Sequence, residues 1–81
     1  MENQKIGNFI KELRKEKNLT QKELADKLLI TDRAVSKWER GLSCPDISLL
    51  DDLSNILGVS VIELLKGRRL DKDEVINNKE L

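Results

Sequence analysis

The sequence predicts an all-α domain of five short helices, and three features carry that expectation. Apolar residues recur at helical spacing, and no segment sustains the alternation of a strand. Two capping boxes, Thr20–Glu23 and Ser60–Glu63, mark helix starts, because each side chain can satisfy the other residue's backbone N–H. Three of the four glycines, Gly41, Gly58 and Gly67, stand where a left-handed residue would end a helix.

Each element follows in turn. Residues 4–17 form a first helix with Ile6, Ile10 and Leu13 on its core face. Phe9 sits beside that stripe, either packed or at its edge. The second helix, 20–28, carries Leu24, Ala25 and Leu28 as one apolar stripe. Only Leu29-Ile30-Thr31 follow it, too few residues for anything but a sharp turn. Thr31 then caps a third helix, 32–40, which Gly41 stops. A helix this short is marginal alone in water, so Ala34, Val35 and Trp38 must hold it against its neighbours. Pro45 suits the first turn of a fourth helix, where its missing N–H costs nothing. That helix runs to Leu57 with Ile47, Leu50, Leu53 and Leu57 inward, and Gly58 ends it. The fifth, Val61–Lys66, closes at Gly67. Beyond it, RRLDKDEVINNKEL has ten charged or Asn positions in fourteen. This divides the chain into a domain, 1–67, and a polar tail, 68–81, that is a frayed end, a linker to a further domain or a segment for a protein partner.

Composition sets bounds on function. Eighty-one residues allow one small domain, which buries only roughly 60% of its unfolded surface. With one Phe, one Trp and no Tyr, the core is aliphatic. A single cysteine excludes an internal disulfide and fits a reducing, cytoplasmic setting. The N-terminal stretch MENQKIGNFIKELRKEKN has no apolar run that suits a signal peptide or a membrane span, so no membrane contact is expected from it. Histidine is absent, and Cys44 has no candidate base near it in sequence. There is no zinc-spaced Cys/His set and no phosphate-cradling glycine loop. The reading is therefore of a protein that is not an enzyme and needs no cofactor or metal. Net charge is zero, but its distribution is uneven. Residues 1–40 hold ten basic and seven acidic side chains, and residues 41–81 hold five and eight. The basic excess lies in the half that contains the second and third helices.

The third helix carries the chemistry. Arg33, Ser36 and Lys37 share one face, with Val35 and Trp38 on the other. Arg donates two hydrogen bonds to guanine N7 and O6, and Lys reaches the same acceptors. The bland alternative is a solvated face. Asp32 is open between two roles: at a helix start it favours the macrodipole, and in a groove it accepts from cytosine N4. Trp38 could stack on a base, but its phase with Ala34 and Val35 makes it a core residue.

The segment LTQKELADKLLITDRAVSKWERG resembles the helix-turn-helix of the phage lambda repressor and Cro superfamily, the XRE-like regulators. The match covers about residues 6–67. It runs through Ile6, Leu13-Arg14, Leu19-Thr20-Gln21, Leu24-Ala25, Val35-Ser36, Trp38-Glu39-Arg40-Gly41, Leu53, Leu57-Gly58-Val59-Ser60 and Leu64-Leu65. The resemblance implies a five-helix bundle that binds double-stranded DNA as a homodimer. It also implies that Gln21 contacts a DNA phosphate; Thr31 and Arg40, which flank the third helix, and Lys22 are further phosphate candidates. Arg14 and Glu39 match a family ion pair that joins the first and third helices and orients the third. Two departures stand out. Leu29 occupies a turn position where the family often has glycine, and a positive φ there costs a Leu about 1 kcal/mol. The loop Leu42-Ser43-Cys44-Pro45-Asp46 lacks the basic residues some relatives set against phosphate.

The expectation is a sequence-specific transcriptional regulator, read as a repressor of a near-palindromic operator. Its dimer surface is expected near the fifth helix, at Val61, Ile62 and Leu65, since VSVIELL has more apolar side chains than one short helix can turn inward. The rivals are an antitoxin that binds both DNA and a toxin, and a protein-interaction module that has lost DNA binding.

Overall fold

The structure, a computed structural model, describes residues 2–71. Among them are five α-helices and no strand: α1 (Asn3–Glu16), α2 (Gln21–Leu28), α3 (Asp32–Glu39), α4 (Leu50–Leu57) and α5 (Val61–Lys66). The tail beyond residue 71 lies outside the described residues.

Local chemistry sets the boundaries. At α2, Thr20 Oγ1 accepts from the Glu23 N–H at 3.0 Å, and Glu23 Oε1 accepts from the Thr20 N–H at 2.9 Å. Ser60 and Glu63 repeat the arrangement at α5, at 3.0 and 2.9 Å. There the Ser60 backbone N–H is the main cause that holds the Glu63 carboxyl below its usual range. Thr31 caps α3 through the Ala34 N–H. Gly41, Gly58 and Gly67 all take positive φ after their helices.

Leu29 is a left-handed stop as well, with φ +59°. The Ile30 N–H reaches back to the Ala25 carbonyl and closes the end of α2. The leucine side chain is 93% exposed, so it recovers none of the strain through burial. Leu29→Gly is therefore expected to leave stability unchanged or raise it by up to about 1 kcal/mol, since relief of strain opposes the added chain entropy of glycine. A loss above about 2 kcal/mol in urea unfolding would contradict this.

One expected element differs. The fourth helix does not start at Pro45. Asp46 accepts from the Ser48 N–H at 3.0 Å and begins a 3₁₀ turn at Ile47–Leu49, which leads into α4 at Leu50. Three residues per turn break the 3.6-residue phase on which the inward placement of Ile47 rested. Ile47 is 85% exposed, whereas Leu53 and Leu57 are buried as expected.

The core is aliphatic. Ile10, Leu13, Leu24, Val35, Leu53, Leu57 and Leu64 are almost fully enclosed, with Phe9 and Trp38 packed among them. Phe9 thus belongs to the core rather than to its edge. α3 rests on both α1 and α2, and α5 closes the bundle against α1 and α4.

Candidate nucleic-acid interface

The two faces of α3 are chemically distinct. Val35 and Trp38 are buried beneath α1 and α2, while Ala34 is half-buried. Asp32, Arg33 and Lys37 are exposed, and Ser36 lies half-buried between them. Arg33 and Lys37 have no hydrogen-bond or ion-pair partner among the described residues, so both cations project free from one ridge. A free guanidinium and a free ammonium on a helix pinned from behind can enter a major groove and meet guanine acceptors.

Around this ridge the other candidates take separate positions. Gln21 is the first residue of α2, and its Nε2 donates to Glu39 Oε1 at 3.1 Å. Thr31 is exposed at the start of α3, with its hydroxyl engaged in the cap. Arg40 lies at the far end of α3, its Nε donating to the Ser36 carbonyl at 3.3 Å, which leaves the rest of the guanidinium outward. Lys22 is paired with Asp26 at 2.9 Å, an exposed bridge between successive turns of α2. The hydrogen bond to Asp26 raises the Lys22 pKa most, with smaller contributions from the charges of Asp26 and Asp32. Its charge is thus already partly answered within the protein. Asp32 is exposed at the first turn of α3, where its charge suits the helix dipole.

Arg14 and Glu39 form the anchor behind the ridge. Arg14 Nε meets Glu39 Oε2 at 2.7 Å, and Nη2 meets Oε1 at 3.0 Å, a fork-on-fork pair. Both side chains are nearly enclosed, at 10% and 3% exposure. Nη1 of Arg14 also donates to the Leu19 carbonyl at 2.8 Å, just before the cap of α2. The hydrogen bond to Glu39 raises the Arg14 pKa, burial works against it, and Coulomb attraction adds to it. One guanidinium therefore ties α1 to both helices of the motif.

Sequence reasoning missed Gly7. It lies in the middle of α1, where the Trp38 carbonyl of α3 comes against it so closely that a Cβ would overlap that oxygen. The available signal was a glycine inside a helix, three and seven residues before Ile10 and Arg14 on the buried side. Gln4, one turn earlier, reaches the Glu39 carbonyl at 3.5 Å. The thiol of Cys44 donates to Asn3 Oδ1 at 2.7 Å, away from the α3 ridge.

Comparison with known proteins gives the family and the fold. The helix-turn-helix family model matches residues 10–64. A SPbeta prophage-derived HTH-type transcriptional regulator of Bacillus subtilis (strain 168), YonR, is 43% identical over 77 residues, covering 93% of this chain and 71% of that protein. The chain spans smaller shares of two other curated relatives, 30% and 54%. The P22 c2 repressor, solved in complex with a synthetic operator, superimposes with a TM-score of 0.73 at 34% identity, over 76% of this chain and 94% of that one. SinR, a master regulator for biofilm formation solved in complex with DNA, gives 0.67 at 43% identity, over 74% and 97%.

Proposed function

This chain belongs to the helix-turn-helix family of transcriptional regulators, and on that premise we propose that it is a repressor that grips a near-palindromic operator as a homodimer. The observation that carries the reading is the free cationic ridge of α3 backed by a buried face. Arg33, Ser36 and Lys37 read base edges in the major groove, and Asp32 accepts from a cytosine where the site offers one. Gln21, Thr31 and Arg40 fix the protein on the phosphate backbone, with Lys22 contributing when it leaves Asp26. Repression follows when a bound dimer covers a promoter and excludes polymerase. The protein works in the cytoplasm, and among the described residues no helix is long and apolar enough to cross a membrane.

Support for the dimer comes from a second face of the bundle, away from the residues of the α3 ridge. An open apolar groove of about 400 Å³ runs between α1, the Cys44–Pro45 segment, α4 and α5. Ile47 and Leu65 stand at its walls, 85% and 40% exposed, and Ile62 on α5 is 44% exposed. A second copy that covers this face removes those side chains from water. The dimer surface thus includes the 3₁₀ turn as well as α5. The residues just after Gly67 lie against the bundle. Arg69 pairs with Glu16 at 2.7 Å, and the Leu70 N–H donates to Glu63 at 3.0 Å.

Titrations on a selected operator and on random duplex test the assignment of roles. Arg33→Ala and Lys37→Ala are each expected to cost about 1–3 kcal/mol on the operator and little on random DNA. Arg40→Ala weakens both alike and lowers the log–log salt slope by roughly one charge's worth. Equal losses on both duplexes for Arg33 and Lys37 would overturn the base-reading role.

A further inference from the structure

We propose that Glu39 is a positioning residue for Gln21, holding its amide so that one uncommitted N–H is offered to a DNA phosphate beside the backbone N–H groups that open α2. This rests on the assignment of Gln21 to the DNA backbone made above.

The Glu39 carboxylate lies enclosed where α1, α2 and α3 meet. Arg14 occupies Oε2 at 2.7 Å and one lone pair of Oε1 at 3.0 Å. The remaining lone pair of Oε1 takes Gln21 Nε2 at 3.1 Å. Because a carboxylate oxygen paired to arginine only accepts, the Gln21 atom that faces it is the nitrogen, and the orientation of the amide is fixed by chemistry. That nitrogen carries a second hydrogen, which points in the amide plane away from Glu39. Gln21 is half-buried at the first turn of α2, so its side chain is partly open to solvent. No group among the described residues accepts it.

The backbone at the same place matches. Thr20 takes the Glu23 N–H, which leaves the N–H groups of Gln21 and Lys22 without an intrahelical acceptor. Two main-chain donors and one side-chain donor held by Glu39 thus belong to the same first turn of α2, and an anion with several oxygens is a ligand suited to them. A free glutamine would lose its rotamer freedom on binding. Here Glu39 has already removed it, so the contact forms at a smaller entropic cost. Glu39 ends α3, so one carboxylate registers the phosphate contact of α2 against the base-reading ridge of α3.

The test uses the whole chain, a selected operator duplex, and the variants Gln21→Met, Glu39→Gln and their combination. Side-chain NMR of the unmodified, ¹⁵N-labelled protein accompanies them, with the Gln21 signals identified by their loss in Gln21→Met. In the free protein, one Gln21 amide proton is expected to exchange slowly with solvent. The other slows only when the duplex is added. Gln21→Met weakens binding roughly tenfold, the worth of one hydrogen bond to a charged group, and leaves the salt slope unchanged because no charge is lost. With Glu39→Gln already in place, the same substitution costs less than about twofold, the signature of coupled residues. Two results overturn the proposal in distinguishable ways. If Gln21→Met leaves affinity intact, the phosphate assignment fails and the positioning role fails with it. If the loss is tenfold in both backgrounds, or both amide protons of the free protein exchange as fast as those of an exposed glutamine, the phosphate contact stands and positioning by Glu39 does not. The exchange measurement needs no variant at Glu39, so it decides the matter even if Glu39→Gln does not fold.

Discussion

Gly7→Ala is expected to cost about 3 kcal/mol of folding stability, a large share of what a domain this small has to lose. The reason is that α1 and α3 meet backbone to backbone. A Cβ at Gly7 would overlap the Trp38 carbonyl oxygen and lie 2.9 Å from its carbonyl carbon and 3.2 Å from Glu39 Cα. These are main-chain atoms of a helix and cannot rotate aside as a side chain would, so the two helices must part. Intrinsic propensity runs the other way, since alanine in a helix interior is better than glycine by about 1 kcal/mol. The sign of the effect therefore separates packing from propensity. Lys11→Ala, at an exposed position of the same helix, serves as the control and should stay within about 0.5 kcal/mol. Urea unfolding measures both. A stabilised Gly7→Ala protein would mean that α3 does not lie against α1 as described.

Arg14→Ala should be comparably damaging, at about 3–5 kcal/mol, because it strands the Glu39 carboxylate in an enclosed site. Gln21 would be the one remaining side-chain donor on that carboxylate among the described residues. The Leu19 carbonyl would lose its Arg14 partner in the same step. The pair itself contributes less than this loss, because both charges were taken from water to make it. Arg14→Met combined with Glu39→Leu is therefore expected to be more stable than Arg14→Ala, although it removes both charges. A loss below about 1 kcal/mol for Arg14→Ala is the outcome for a solvated surface pair and would contradict the enclosed geometry.

What could be read in the sequence was what local chemistry decides. The capping boxes at Thr20 and Ser60 involve residues three apart, and the structure forms both. The sharp turn after α2 followed from the short link between two helices, and the left-handed Leu29 was raised by the family's usual glycine at that position. The free ridge of Arg33 and Lys37 followed from helical phase against Val35 and Trp38. Ile47 was misplaced because a two-residue contact, Asp46 to Ser48, overrode the apolar period. The partner of Gly7 and the bond from Gln21 to Glu39 were not legible, since each contact joins helices far apart in the chain, and no spacing rule pairs such residues.

The most direct test of DNA reading by paired α3 helices is selection of bound sequences from a random duplex pool, followed by footprinting on the selected site. The expected result is a near-palindrome with two protected half-sites whose centres lie about 34 Å apart on one side of the duplex. Enrichment of no sequence, or protection of a single half-site without symmetry, would contradict it.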